Sequence, residues 1–206
     1  MASSDFFSVF SLPRHLQIDL AALEKSFYAH SRKLHPDRFA AKPMSEQEAA
    51  LAESSQLNDA YRTLKDPILR TQHLLTLEGV ELEEQSKAAT EAARTSGTEK
   101  KQLIPPELLE EVFDLNMQLM EMKTAKQMGD EADPDLRHEL EAAAKSFDAK
   151  MAETQHELEK LWTRWDTAVD TNDAETRNST RDALVTLLNK RSYLRNLVRD
   201  VNQALE

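Results

Sequence analysis

The chain has 206 residues, 40% of them hydrophobic, with 3 glycines, 7 prolines, no cysteine and a formal net charge of −11. Such a composition can fill a compact core and favours helix almost throughout, because Ala, Leu, Glu, Lys, Gln and Met dominate; it leaves no thiol for disulfides, thiolate catalysis or cysteine-ligated zinc. The negative charge argues against an extended nucleic-acid or anionic-membrane surface, and no apolar run approaches the roughly 20 residues of a membrane span.

The N-terminal stretch "MASSDFFSVFSLP" lacks a basic leader with a long apolar run and lacks an Arg-rich transit pattern, so the cytoplasm is the expected compartment. Between Asp5 and Ser11, Phe6, Phe7, Val9 and Phe10 crowd into one or two helical turns closed by Leu12-Pro13, dense enough in aromatics to plug into a core. Asp19 is placed to cap a second helix, on which Leu20, Leu23, Phe27 and Leu34 share one face. At about 100° per residue, Lys25, Arg32 and Lys33 lie opposite that stripe. Ser45 with Glu48 reads as a capping box for a third helix, the antiparallel partner of the second, with Ala49, Ala52, Leu57, Ala60, Tyr61 and Leu64 as its stripe up to Lys65. Asp66 then caps and Pro67 takes the first position of a fourth helix, which ends at Gly79, the expected left-handed terminator. A first domain is thus expected over residues 1–82.

From Glu83 to Gln102 there is no large apolar residue, and 83–104 reads as a mobile linker. A second domain, 105–206, opens with Pro105 or Pro106 at the start of a helix that ends at Gly129. Asp133-Pro134 starts a long helix of about 50 Å, with Leu136, Leu140, Ala144, Phe147, Met151, Leu158, Leu161, Trp165 and Val169 in helical register. Asn172 or Asp173 caps a last helix whose stripe is Leu184, Leu187, Leu188, Leu194, Val198, Val201 and Leu205. Three helices joined by short polar turns predict an up-and-down bundle, and the fold class is all-α.

The stretch "SRKLHPDRFAAKP" does what a plain helical protein has no need to do. Pro36 lacks an amide hydrogen and disfavours the α conformation at His35, so a helix carrying Arg32 and Lys33 must stop there and leave Asp37 on an exposed loop tip. From Lys25 to Arg38 there are four basic residues and one acid, a local charge of +3 within a chain of −11. That surface can receive an acidic patch while offering one carboxylate to an arginine. Alternatively, His-Pro-Asp is only a helix stop followed by a turn.

The order of short aromatic turn, basic helix, His-Pro-Asp loop and second long helix over Asp5 to Lys65 resembles the J domain of DnaJ-type co-chaperones. The resemblance implies that His35, Pro36 and Asp37, with Lys25, Arg32, Lys33 and Arg38, engage a DnaK-like chaperone and provoke its ATP hydrolysis, with no bond chemistry in this chain. "DFFSVFSLP", "LHPDRF" and "RTQHLLTLEG" are similar to segments of HscB, the J-protein of iron-sulfur cluster assembly, whose C-terminal half is a three-helix bundle. The absence of paired cysteines favours a bacterial member. The resemblance implies HscA or a DnaK-type chaperone and an IscU-type scaffold as partners; no nucleic acid, membrane or cofactor is expected, and a monomer is favoured with the oligomeric state left open. Two rivals stand beside it: a J-protein with another client, and a helical adaptor or coiled-coil subunit.

The helix from Glu107 to Met128 has more apolar surface than one seam needs. Leu108, Val112, Leu115, Leu119 and Met122 form one stripe; Leu109, Phe113, Met117 and Met120 form another about 120° around, beside Glu107, Glu110, Glu111, Asp114 and Glu121. Either both stripes are buried against two neighbours, or the second is a partner surface with an acidic rim. In HscB-like proteins the scaffold docks on this helix and on an aromatic of the last one, which implies Leu109, Glu110, Phe113, Asp114, Met117, Glu121 and Tyr193. Two of these depart from the pattern: an apolar residue is implied where Glu110 stands and an acid at Met117. Tyr193 lies about 130° from the Leu184/Leu188/Leu194 stripe and is expected outside the core.

Other signals fail. His30 and His35 point about 140° apart, and His138 and His156 stand about 27 Å apart on one face, so neither pair chelates a metal ion. Trp162 and Trp165 read as core or bundle rim, and no glycine-rich phosphate loop or nucleophile cluster exists.

Overall fold

The computed structural model describes residues 5–80, 105–128 and 133–206, and every regular element among them is helical. These are α1 (Phe6–Val9), α2 (Leu20–Lys33), α3 (Met44–Lys65), α4 (Pro67–Leu77), α5 (Leu109–Met128), α6 (Pro134–Asp170) and α7 (Ala174–Leu205), with single 3-10 turns at Pro36–Arg38 and Pro106–Leu108. Two compact units result: Met1–Leu82 with Leu161–Leu184, and Glu83–Lys160 with Val185–Glu206. The end of α6 and the start of α7 therefore cluster with the N-terminal helices, whereas the sequence reading counts them with the bundle. The expected linker at 83–104 and the expected helix end at Gly129 lie outside the described residues.

In the first unit most local signals act as read. The Asp19 carboxylate accepts from the N–H groups of Ala21 and Ala22, and Asp66 from those of Ile68 and Leu69. Each cap satisfies donors that a helix start leaves orphaned, a contribution of about 1 kcal/mol. Gly79 closes α4 with φ 79°. Asp173, not Asn172, caps α7 through Thr176 N–H; Asn172 takes the left-handed turn, φ 52°. The capping box at Ser45 and Glu48 does not form. Pro43, its φ fixed by the ring, already accepts from Glu46 and Gln47 N–H, so α3 starts at Met44 and Ser45 falls inside it.

Helix α3 is the centre of this unit, with α1, α2 and α4 all packed on it. Phe7, Phe10, Leu16, Leu23, Ala50, Leu57, Ala60, Leu64, Leu74 and Leu75 are buried. Leu20 departs from expectation: at the first position of α2 it extends past the packed region and is exposed. Ala49 and Ala52 are exposed as well, because the buried register of α3 runs through Ala50, Leu57, Ala60 and Leu64.

A polar network that the sequence did not announce holds the irregular segment between α1 and α2. Asp166 accepts from the N–H groups of Leu16 at 2.6 Å and Gln17 at 2.8 Å, while buried Trp165 donates its indole N–H to the Arg14 carbonyl at 3.0 Å. The Gln17 amide donates to the Thr163 hydroxyl at 2.9 Å. Buried Arg70 donates through Nε to the Leu16 carbonyl at 2.9 Å and through its other arm to the Leu64 carbonyl. Residues 14–17 thus find side-chain partners for backbone groups that no helix or sheet satisfies. Burial lowers the pKa of Arg70, opposed by Asp166 and Asp66; burial raises that of Asp166, opposed by its two N–H bonds.

In the second unit, one cluster joins Leu108, Val112, Leu115 and Met122 to Leu136, Leu140 and Phe147 of α6 and to Leu194, Leu197 and Val201 of α7. The first stripe of α5 is therefore its core face. Asp133 accepts from Asp135 N–H at the start of α6. Lys150 pairs with Glu111 at 3.0 Å and Lys190 with Glu107 at 3.4 Å, tying α6 and α7 to α5 at the margins of that core.

Candidate functional site

Two surfaces collect the residues singled out in the sequence. On α2, the Leu34 N–H still reaches the His30 carbonyl, but Pro36 offers no N–H to continue the helix. The chain tightens into the 3-10 turn Pro36–Arg38, closed by Arg38 N–H on the His35 carbonyl at 3.0 Å. The turn projects Asp37, whose side chain is 90% exposed. His35 Nδ1 lies 3.3 Å from Asp37 N and 3.4 Å from the Asp37 carboxylate. Neutral with its proton on Nε2, the ring accepts the Asp37 N–H; protonated on Nδ1, it donates to the carboxylate instead.

Lys25, Arg32, Lys33 and Arg38 are all exposed, and none forms an ion pair with another described residue. The Arg38 side chain donates to the Arg32 carbonyl at 3.4 Å. Four cations without an ion pair among the described residues therefore lie along the helix and turn that carry one outward carboxylate. Such an arrangement does no bond chemistry by itself, but it presents a complementary face to an acidic protein surface.

The second surface lies on α5, where the reading that both stripes are buried does not hold. Its second stripe is outward: Phe113 is 67% and Met120 71% exposed, and Leu109 and Met117 are exposed too. Glu110, Asp114 and Glu121 are exposed, unpaired among the described residues, and at about 100° per residue fall together on one flank of the stripe. Glu107 and Glu111 are instead drawn into the bundle by their lysines. A shallow groove lined by Met117, Met120, Glu121, Thr124, Ala125 and Met128 continues the surface toward the end of α5. Thr124, Ala125 and Met128 were missed in the sequence, although counting on in steps of three and four from Met120 reaches Thr124 and Met128.

Tyr193 lies outside the buried core, at its margin. It is partly buried and packs on the cluster around Leu194 and Leu197, where burial raises its pKa. A helix packed on two neighbours partly covers the residues that flank its core stripe, this ring among them. Among the described residues, no three His, Asp or Glu side chains come close enough to share a metal ion, and no helix is long and apolar enough to cross a membrane.

No family profile matches the chain. Over 93 residues it is 41% identical to the Co-chaperone protein HscB homolog of Bordetella petrii; the match spans 45% of this chain and 55% of that relative. Among solved structures, Chaperone HscB from Vibrio cholerae matches with a TM-score of 0.57 and 24% identity, covering 97% of this chain and 96% of that one. Human co-chaperone HscB matches with a TM-score of 0.56 and 21% identity, covering 98% and 83%. At those identities the structures speak to the fold, a J domain followed by a helical bundle, which this chain shares. The likeness to HscB-type co-chaperones expected from "DFFSVFSLP", "LHPDRF" and "RTQHLLTLEG" is thus met in part of the sequence and in the architecture as a whole.

Proposed function

We propose that this chain is a bacterial cytoplasmic co-chaperone, not itself an enzyme, that stimulates the ATPase of an HscA- or DnaK-type chaperone and delivers an IscU-type iron-sulfur scaffold to it. The observation that carries the reading is the outward Asp37, 90% exposed, on a proline-ended helix whose cations form no ion pair among the described residues. Lys25, Arg32, Lys33 and Arg38 steer and hold an acidic chaperone surface, while Asp37 offers the acceptor for a cation in it, flanked by His35 and Pro36. The contact acts by preferring the chaperone conformation competent for hydrolysis, since only a difference in affinity between two states can shift their balance.

Leu109, Phe113 and Met117, rimmed by Glu110, Asp114 and Glu121, form the scaffold surface, with Tyr193 a supporting ring on the bundle. Holding chaperone and client on one chain raises the client's effective concentration at the chaperone. The test is Asp37→Asn in a chaperone ATPase assay with circular dichroism alongside. Helicity and melting should be unchanged and stimulation abolished; a variant as active as the parent chain overturns the reading.

A further inference from the structure

We propose that the exposed methionines of α5, Met117, Met120 and Met128, are a reversible oxidation site: hydroperoxides convert their thioethers to sulfoxides, and the apolar face that carries them then loses its hold on its protein partner. The inference rests on the docking reading of α5 given above and adds the chemistry that regulates that surface.

The chain has 7 methionines and no cysteine, so thioethers are its only oxidisable sulfur. Met117, Met120 and Met128 are 60%, 71% and 74% exposed, and all three line the shallow groove near the end of α5. At about 100° per residue they fall within about 80° of one another, on the arc that also holds Phe113 and Thr124. Met122 lies on the same helix but roughly 140° around from that arc. It is 2% exposed and belongs to the core cluster, against which Met151 packs as well. Met44 is exposed, but it is the single methionine of α3. Helix α5 thus sorts its sulfur by face, with three accessible thioethers together on the apolar surface and one sealed beneath it.

Reaction with a peroxide needs only access to a sulfur lone pair. The sulfur attacks the terminal oxygen of the hydroperoxide, the O–O bond breaks and an S–O bond forms. The displaced oxygen takes the proton of the transferred one and leaves as water or an alcohol, so that sulfur loses the two electrons the peroxide gains. A flexible apolar side chain becomes polar and chiral, the reverse of what a contact built on adaptable methionines requires. Net charge does not change and the core cluster is not touched, so the helix stays folded while its outer face changes character. A sulfoxide reductase reverses the step, removing the oxygen as water while a dithiol is oxidised to a disulfide.

The experiment treats the full chain with hydrogen peroxide, destroys the excess with catalase, and follows each methionine by peptide mass spectrometry beside calorimetric binding to an IscU-type scaffold. Met117, Met120 and Met128 should oxidise at least about tenfold faster than Met122. Binding should weaken about tenfold, as the loss of a methylene's worth of apolar burial at each of two residues would give. Melting by circular dichroism should be unchanged, and methionine sulfoxide reductase should restore the affinity. In a variant combining Met117→Leu, Met120→Leu and Met128→Leu, peroxide should alter the variant's own starting affinity by less than about twofold. Undiminished binding by the oxidised parent, affinity that the reductase does not restore, or an equal peroxide loss in the triple variant overturns the proposal and leaves the docking reading standing. A loss that comes with lower melting or with oxidised Met122 is unfolding, and overturns it too. No binding by the untreated parent removes the docking reading and the proposal with it.

Discussion

Helices α2 and α5 both turn an outward face to solvent, but they are built on opposite principles. The free face of α2 carries Lys25, Arg32 and Lys33, and its exposure was readable because a cation has no business in a core. The free face of α5 carries Leu109, Phe113, Met117 and Met120, residue types that a core would equally accept. Periodicity shows that two stripes exist on α5; only the packing of α6 and α7 decides which one is covered. The lesson concerns range as well as legibility. A charged face acts over a Debye length and responds to salt, whereas an apolar face acts only on contact and responds to truncation.

Three experiments separate those two modes. The largest effect should come from reversing charge on α2: Arg32→Glu with Lys33→Glu should raise the concentration needed for chaperone stimulation by about thirtyfold or more, since each now repels the surface it attracted. Thermal stability should shift by less than about 0.5 kcal/mol, both side chains being exposed. Next is Phe113→Ala. Scaffold binding by calorimetry should weaken about tenfold, with melting unchanged because the ring already faces solvent. Retained affinity means that the apolar face of α5 is not the docking site. Smaller again is the response to salt. Between about 50 and 300 mM the chaperone contact should weaken several-fold and the scaffold contact less than about twofold; equal losses would erase the distinction drawn between α2 and α5.

How far the sequence could be read follows the reach of each interaction. Caps at Asp19, Asp66 and Asp133, the stop at Pro36 and the terminator at Gly79 depend on a few neighbouring residues, and they sit as read. The misread capping box at Ser45 is a local error as well: Pro43 competes for the same helix start and wins because its φ is already fixed. Long-range features were closed to this kind of reading. Nothing in the spacing of Asp166, Trp165 or Arg70 says that they satisfy residues 14–17, because those partners come from helices 54 to 151 positions away. Tyr193 stays outside the buried core as read, but its partial cover was closed to a helical wheel, which gives angles and not how many neighbours pack on a helix.

The mildest prediction concerns what lies beneath α2 and absent from α5's bundle. Helix α1 is held by His73, whose Nε2 accepts the Phe6 N–H at 3.1 Å while the ring stacks on Phe6 at 4.4 Å, and Phe10 reaches the edge of His30 at 6.2 Å. A histidine accepting through Nε2 must be neutral, and burial pushes its pKa below the ordinary 6.5, with Asp5 acting to raise it and Arg14 to lower it further. The folded state therefore binds fewer protons than the unfolded one as pH falls below 6.5, so stability declines with falling pH until the folded histidine is protonated too. Asp166, raised by burial, acts in the opposite sense. Protonation forfeits one hydrogen bond, about 1 kcal/mol. Urea melts, with hydrogen exchange followed at α1 and α2, should show these helices softening as pH falls below about 6.5 while α5 amides hold their protection. His73→Gln keeps an acceptor without the titration and should flatten the dependence at α1. An unchanged slope in that variant would move the pH response away from His73, and equal softening of α5 would show that the effect is not confined to the helix pair that carries the charged face.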